Sequence, residues 1–252
     1  MLYQNLLIDK QAGVFKITLN RPQVMNAFSP AMLNELKNAV IEAGQDQTIG
    51  VICVTGAGRA FSSGGDLASM SDLKLVNGRV GQIFDQAANA AIEAIQTVGK
   101  AVIAGVNGYC LTGALEIVLA CDLIVASEAA RFADTHVRWG IRPSWGMSQR
   151  LPRSVGWFKA KELSFTAAVI TAQEAERIGL VNRVVPAEKL DMALMELASQ
   201  IMANSLEAVA AYKLLYNRGM RDSLEKGLEL ERRSEFSITD TASRIEGFMH
   251  KK

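Results

Sequence analysis

The chain has 252 residues, of which 49% are hydrophobic and 21% are charged, and its formal net charge is +1. This composition is typical of a globular protein with one large domain, and the near-neutral charge provides no global basic field for binding nucleic acid. The sequence contains no apolar stretch of the ~18 residues or more that a membrane span requires.

The cysteine and histidine content restricts the cellular compartment and the kinds of disulfide or metal site that are compatible with the sequence. The three cysteines, Cys53, Cys110 and Cys121, are odd in number, and their spacing fits neither a disulfide framework nor a zinc site. The first residues lack the features of a signal or transit peptide, so we expect a reducing, cytoplasmic location. The only histidines are His136 and His250, which excludes a metal centre built on several imidazoles, and we expect no metal.

Apolar periodicity and turn residues predict a chain that mixes strands and helices before it becomes entirely helical. The predicted elements in chain order are a hairpin over 6–9 and 14–19, a helix that starts at Ser29-Pro30, a strand over 50–55, a glycine-rich stretch over 56–66, a mobile surface segment over 67–79, a helix over 83–95, strands over 101–106, 123–126 and 131–133, an irregular segment over 138–152, a capped helix from 171 that stops at Gly179, a strand over 181–185, and helices over 187–203, 205–217 and 222–240. No Pro/Ser linker separates the two parts, so we expect the helices to dock on the core.

The stretch from Val106 to Asp122 carries the first candidate chemistry. It ends a buried strand, turns at Asn107-Gly108, and continues as an apolar helix that holds one carboxylate, Glu116. Free N–H groups at a helix start point outward, and the helix dipole favours negative charge there. A glycine in the first turn, Gly113, would place Glu116 on the same side of the helix.

A second glycine-rich loop, Ser62-Ser63-Gly64-Gly65-Asp66, also follows a strand. Two backbone N–H groups from separate loops that converge on one carbonyl oxygen form an oxyanion hole, which a thioester needs when it becomes an enolate. Either loop alone is more often an ordinary turn after a strand. The order of the surrounding motifs gives the pair more weight.

Five different segments follow one another along the chain in a characteristic order. They are TLNRP at 18–22, VICVTGAGRAFSSGGDL at 51–67, KAVIAGVNGY at 100–109, QRLP at 149–152 and AERIGLV at 175–181. In order and spacing they resemble the enoyl-CoA hydratase/isomerase (crotonase) family over nearly the whole chain. The family hosts many reactions, so the resemblance is more specific for the fold than for the chemistry.

The resemblance implies an α/β fold: a spiral core of ββα units with the acyl-CoA site over 1–195, and a C-terminal helical region over 196–252 that forms a homotrimer or a hexamer. Acyl-CoA is the implied substrate, without a separate cofactor. By motif, the oxyanion donors are Gly65 and Gly113, and the retained catalytic glutamate is Glu116. The implied CoA contacts are Met25, Ala27, Ala60, Ser62, Ser63, Gly64, Asp66 and Leu67, with Arg21 and Arg59 as phosphate candidates. For Asp66, a brace for its own loop is the commoner role.

The chain departs from the hydratase pattern at one position. Members that resemble the hydratase carry a second glutamate after a Phe-x-x-x-Glu motif, and here the segment Phe132-Ala133-Asp134-Thr135-His136 ends in histidine. Histidine acts as a general acid or base near neutral pH. In an extended segment Asp134 and His136 share a face, so Asp134 is expected either to orient the imidazole or to act itself.

The leading hypothesis is therefore an acyl-CoA enzyme that works through a thioester enolate, with enoyl-CoA hydratase first and Δ3-Δ2 enoyl-CoA isomerase second. Dehalogenase, decarboxylase or hydrolase variants use the same oxyanion hole. The contrasting hypothesis is a non-catalytic acyl-CoA-binding or scaffold relative, favoured by the loss of one glutamate. An RNA-binding relative is disfavoured, because the net charge is only +1 and no helix is rich in lysine.

Overall fold

The computed structural model describes residues 3–70, 77–79 and 81–250. The strands are β1 (Leu6–Gln11), β2 (Val14–Leu19), β3 (Val51–Gly56), β4 (Ala60–Ser62), β5 (Ala101–Val106), β6 (Tyr109–Leu111), β7 (Leu123–Ser127), β8 (Arg131–Ala133), β9 (Ile170–Thr171) and β10 (Arg183–Val185). The helices are α1 (Pro30–Gln45), α2 (Gln82–Thr97), α3 (Gly113–Val118), α4 (Met147–Val155), α5 (Trp157–Thr166), α6 (Ala172–Arg177), α7 (Leu190–Met202), α8 (Leu206–Gly219), α9 (Leu224–Arg233) and α10 (Thr241–Met249).

The strands form two sheets that share a repeating connection. The larger sheet has the order β1-β2-β3-β5-β7-β10 and the smaller sheet the order β4-β6-β8-β9. In three successive units, β3 and β4, β5 and β6, and β7 and β8, the first strand joins the larger sheet and the second joins the smaller sheet. Pairing between these units is parallel in both sheets. The predicted spiral of ββα units is confirmed.

The larger sheet is covered on both faces because successive side chains of a strand point in opposite directions. Phe15, Ile17 and Ile52 face a cluster that includes the buried sides of α1 and α2. Val14 and Val51 face the second cluster, which α7 completes. Alternate residues of the same strands thus attach the sheet to helices on both sides.

One buried lysine joins α8 to this core, in addition to the apolar contacts that α7 makes with the sheet. Lys213 of α8 is 8% exposed, and its Nζ donates to the carbonyls of Ile95 and Lys100 at 2.8 and 2.9 Å and to Asp122 Oδ2 at 2.8 Å. The division of the chain at 195/196 stays a prediction. That point lies inside α7, which packs on the sheet on both sides of it.

Local signals placed several elements correctly. Ser29 caps α1 by accepting the Met32 N–H, and Thr171 caps α6 by accepting the Glu174 N–H. Gly179 follows α6 with φ of +77°, which glycine adopts without strain. Among the described residues, no helix is both long and apolar enough to cross a membrane.

Two predicted segments differ from the structure. The segment 138–152 was expected to be irregular, but α4 begins at Met147 and includes Pro152; Met147 and Leu151, four residues apart, bury one face of the helix. The expected helix over 222–240 is interrupted: α9 ends at Arg233, and Thr239 donates its backbone N–H and its hydroxyl to Glu207 of α8. The predicted mobile segment over 67–79 lies partly outside the described residues.

Candidate active site

The main cavity, of about 450 Å³, opens between the loops that follow β4, β6 and β8. It is lined by Val24, Ala27, Ser63, Gly65, Asp66, Leu67, Ala68, Leu111, Thr112, Gly113, Glu116, Thr135, His136, Arg138, Trp139, Ile141, Ser144 and Trp145. The spiral brings these loops together because β4, β6 and β8 are neighbours in the smaller sheet. Both predicted oxyanion glycines and both predicted acid/base residues thus line one cavity.

The two glycine loops pack backbone against backbone. A side chain on Gly64 would place its Cβ 2.8 Å from the Leu111 carbonyl and 3.3 Å from the Gly113 nitrogen, so only glycine allows this approach. Phe28 donates to the Gly64 carbonyl and accepts from the Asp66 N–H. Because amides alternate sides along an extended segment, the N–H of Gly65 points away from Phe28.

Gly113 is the first residue of α3, so its N–H has no acceptor within the helix. The preceding residue, Thr112, has φ of +54°, which is unusual for a β-branched residue. Its conformation is held by several contacts: its N–H donates to the Ala133 carbonyl at 2.8 Å, and its hydroxyl is hydrogen-bonded to that of Thr135. The loop after β8 therefore fixes the turn that presents Gly113.

Glu116 follows one turn later and is 1% exposed. Its Oε1 accepts the backbone N–H groups of Trp145 at 3.0 Å and Met147 at 2.9 Å. Burial raises the pKa of this carboxyl, against the lowering effects of His136 and of the two N–H groups. A carboxyl with a raised pKa in a cleft is suited to hold and deliver a proton.

His136 connects Glu116 to a second carboxylate. Its Nε2 lies 3.5 Å from Glu116 Oε2, and its Nδ1 lies 2.6 Å from Asp134 Oδ1. The segment that carries Asp134 and His136 is not an extended strand, because β8 ends at Ala133 and residues His136–Trp139 form a short 3₁₀ helix. The turn nevertheless folds Asp134 back onto the imidazole, because the Asp134 carboxylate also accepts the His136 backbone N–H.

Asp134 does not line the main cavity but a smaller cavity of about 260 Å³ on the other side of His136. It is 3% exposed. Burial raises the pKa of its carboxyl, but hydrogen bonds from His136 and Ser164 outweigh this effect and hold the pKa below the ordinary value. Asp134 is therefore an ionised group that faces the imidazole from behind.

The predicted CoA contacts divide into two groups. Ala27, Ser63, Asp66 and Leu67 line the main cavity together with Gly65, whereas the remaining residues are not part of its lining. These residues are Met25, Ala60, Ser62 and Gly64; Ala60 and Ser62 are fully buried, and the hydroxyl of Ser62 accepts the Gly64 N–H. CoA binding by both groups stays a prediction.

Arg21 and Asp66 hold the first glycine loop in place. Arg21 Nη1 donates to the Ala27 carbonyl at 2.6 Å and to Asp66 Oδ2 at 3.0 Å. Asp66 Oδ1 accepts the N–H of Ala68. Asp66 thus braces its loop, and Arg21 is committed to this brace. The other phosphate candidate, Arg59, is exposed.

The sequence alone missed the anchor for Glu116. Trp145 and Met147 flank Gly146, whose φ of +116° turns their two N–H groups toward the same oxygen. Trp145 also packs its ring on Gly113, where an added Cβ would lie 2.4 Å from the ring carbon Cζ3. Neither contact follows from periodicity. The glycine between two apolar residues was the available signal.

Comparison with known proteins identifies this arrangement. The family model described as enoyl-CoA hydratase/isomerase matches residues 9–251. The chain belongs to the enoyl-CoA hydratase/isomerase family. The short-chain-enoyl-CoA hydratase of Clostridium acetobutylicum is 36% identical over 256 residues, which cover 100% of this chain and 97% of the relative.

Two solved structures of the enoyl-CoA hydratase/isomerase family are also similar. The enoyl-CoA hydratase from Bacillus anthracis matches with a TM-score of 0.89 and 32% identity, over 99% of this chain and 97% of that chain. A monofunctional enoyl CoA isomerase from M. smegmatis matches with a TM-score of 0.78 and 31% identity, over 92% and 100%. Both leading sequence hypotheses are therefore represented among similar family members.

Proposed function

We propose that the protein is an enoyl-CoA hydratase, which adds water across the C2–C3 double bond of a 2-enoyl thioester. One observation carries this proposal: Glu116 Oε2 and His136 Nε2 lie 3.5 Å apart in the cavity that Gly65 and Gly113 also line. Hydration needs one group to activate water and another to exchange the α proton, and this pair supplies both. The name of the Clostridium relative supports the same reaction.

In the proposed reaction the thioester oxygen accepts the N–H groups of Gly65 and Gly113. These donors stabilise the enolate that forms when hydroxide adds to C3. Protonation of C2 then returns the carbonyl. The low exposure of Glu116 and His136, 1% and 6%, limits competition from bulk water at both acid/base groups.

The direct test follows the loss of enoyl-thioester absorbance with crotonyl-CoA. We expect measurable hydration by the wild-type protein and a loss on the order of 10²–10⁴-fold in Glu116→Ala, since general acid–base groups contribute about this factor. Equal rates for the two proteins would refute the proposal. Lys16→Ala, which removes an ion pair with the exposed Asp191, is the matched control and should keep wild-type activity.

A second variant tests the histidine. His136→Glu should raise the hydration rate if water addition alone limits turnover, because the residue then matches the implied hydratase pattern. An unchanged or lower rate would assign His136 to a different step or reaction. A 3-enoyl-CoA substrate separates the alternative, because an isomerase yields the 2-enoyl-CoA without added water. The M. smegmatis isomerase among the similar structures favours keeping this second candidate.

We further propose a homotrimer or a hexamer of two trimers in the cytoplasm. The supporting observation is that α9 and α10 contain no buried residue, although they carry several apolar side chains. The exposed ones are Leu224, Leu228, Ile245, Phe248 and Met249. Light scattering after size-exclusion chromatography measures the oligomeric state, and a monomer would contradict this proposal.

A further inference from the structure

Three buried ionisable side chains form a continuous line from the main cavity to the smaller one. Glu116, His136 and Asp134 are joined by contacts of 3.5 Å and 2.6 Å through the two ring nitrogens of the histidine. Only Glu116 and His136 line the main cavity, while Asp134 and His136 line the smaller one. The imidazole therefore stands between a carboxyl that faces substrate and a carboxylate that does not.

The hydrogen bonds restrict where protons reside. A carboxylate only accepts, so at 2.6 Å the ring Nδ1 must donate its hydrogen to Asp134. In a neutral imidazole this leaves Nε2 as a lone pair directed at Glu116. Glu116 Oε1 is already committed to two backbone N–H groups, so any carboxyl proton belongs on Oε2, the atom that faces Nε2.

We propose that Glu116 and His136 share one proton, and that Asp134 is a positioning residue that keeps the Nε2 lone pair turned toward Glu116 at the wall of the main cavity. The inference rests on the proposed hydratase function for its kinetic part. Within that reaction, His136 is the base and Glu116 is the acid. Asp134 acts only through the imidazole.

The proton balance of a turnover closes within this line. Nε2 takes a proton from water while the hydroxide oxygen bonds to C3, and the C2–C3 π electrons pass into the enolate. The Glu116 hydroxyl gives its proton to C2 as the enolate returns to the thioester. The imidazolium then passes its proton from Nε2 to Glu116 Oε2. The net change is one water added, and both side chains regain their starting forms.

The charged surroundings of His136 are few among the described residues. Glu116 faces it from α3, Asp134 from the turn after β8, Arg138 from its own 3₁₀ helix and Lys161 of α5 from the smaller cavity. Arg150 of α4 acts electrostatically on Glu116. Of the two carboxyl groups that contact the imidazole, Asp134 is the closer, at 2.6 Å against 3.5 Å for Glu116.

The chain permits a direct test because it contains only two histidines, His136 and His250. In protein labelled with ¹⁵N in histidine, long-range proton–nitrogen correlation reads the protonation of each ring nitrogen. His250 is exposed and serves as an internal reference, and His250→Gln assigns the spectrum. We expect His136 to carry a proton on Nδ1 at every pH of the titration. A neutral His136 with a bare Nδ1 would overturn the proposal.

Two isosteric variants complete the spectroscopic test. Asp134→Asn should shift His136 toward the Nε2–H form, because the amide can donate to Nδ1. Glu116→Gln should change the Nε2 signal of His136, because the carboxyl that shares the proton with Nε2 is gone. Unchanged spectra in both variants would refute the shared proton. This readout needs no activity, so it fails independently of the proposed function.

Kinetics separate positioning from mere structural support. Asp134→Asn should lower kcat by about 100-fold or more, since a comparable change behind a catalytic histidine costs about 10⁴-fold in hydrolases. KM should change little, because Asp134 does not line the main cavity. The acid limb of the pH profile should move, since the removed carboxylate contacts the imidazole that acts as the base. A fall in kcat with an unmoved limb would refute the positioning role.

Controls guard against misfolding. Asp191→Asn makes the same chemical change at an exposed ion pair with Lys16 and should keep the wild-type rate and pH profile. Ser164→Ala leaves the Asp134 carboxylate in place but removes one of its hydrogen bonds, so it should lower kcat only a few-fold. If Asp134→Asn does not fold, an Nδ1-protonated His136 in wild type and a changed Nε2 signal in Glu116→Gln still decide the proposal.

Discussion

Two buried polar clusters in this protein use the same kinds of groups in different ways. At Lys213 the ammonium makes three hydrogen bonds of 2.8–2.9 Å, to two carbonyls and to Asp122. At His136 the contact with Glu116 is 3.5 Å long and lies on the wall of a cavity. The first cluster has no donor left over, whereas the second keeps an atom available for a ligand.

The difference teaches how burial alone should be interpreted. Burial raises the pKa of both Asp122 and Glu116. At Asp122 this increase in pKa is counteracted by the full positive charge of Lys213 and by a backbone N–H, and the cluster links α8 to the core. At Glu116 the increase in pKa is counteracted by two backbone N–H groups and an imidazole. A buried ion pair with every bond satisfied is a structural tether, while an incompletely satisfied one beside a cavity is available for chemistry.

The largest expected effect is a loss of folding stability when the ion pair of Lys213 with Asp122 is removed. Lys213→Met leaves the carbonyls of Ile95 and Lys100 without their donor and the partly exposed Asp122 without its cation, which costs about 1–3 kcal/mol of folding free energy for each unpaired carbonyl. The activity per folded molecule should remain at the wild-type level, because Lys213 lies outside the cavity. Denaturant unfolding measures the loss. Lys16→Met at the partly exposed pair with Asp191 should cost about 1 kcal/mol or less, and equal losses would remove the distinction between the pairs.

An intermediate effect is expected from a substitution at Gly113, beside the Glu116 cluster. In Gly113→Ala the new Cβ would lie 2.4 Å from the Trp145 ring, and such overpacking costs about 1–3 kcal/mol. Movement of Trp145 also displaces the N–H that holds Glu116. The rate constant kcat should therefore fall by more than the loss of folded protein explains. Gly99→Ala, whose Cβ meets its nearest neighbour at 3.8 Å, is the control. Thermal melting together with the hydration assay decides the outcome.

The smallest effect is a pH dependence of stability. The pKa of Glu116 is raised in the folded protein, so the folded state holds this proton more tightly than the unfolded state. Its stabilising contribution is complete below the ordinary pKa of 4.5 and is lost as pH rises through the higher folded value. The Tm of Glu116→Gln should therefore gain on that of wild type as pH rises through this window. A constant difference would show that folding leaves the pKa of Glu116 unchanged, which contradicts this prediction.

The sequence predicted the fold more completely than the site. Strand and helix patterns located most elements, because alternate faces of β2 and β3 are buried and helix caps such as Ser29 act locally. Motif order supplied the spiral. The C-terminal break before α10 was missed, because it depends on Glu207, which is distant in sequence from Thr239.

Within the site, the sequence identified Gly65, Gly113, Glu116, Asp134 and His136, all of which lie at or behind one cavity. It offered Asp134 as a residue that orients the imidazole or acts itself, but it did not predict the turn after β8 that brings the two side chains together. Nor did it reveal that backbone donors hold Glu116. Hydrogen bonds from a main chain 29 and 31 residues away leave no residue-type signal.

The placement of the tryptophans has an optical consequence. The chain contains three, and all border the two cavities: Trp139 and Trp145 line the main one and Trp157 lines the smaller one. The Trp145 indole is fixed by a 3.0 Å bond to Asp85, whereas Trp139 and Trp157 are each 60% exposed. Tryptophan fluorescence therefore originates entirely at these two sites. A ligand that enters either cavity will alter emission without any attached dye, and single Trp→Phe variants assign the signal to one cavity.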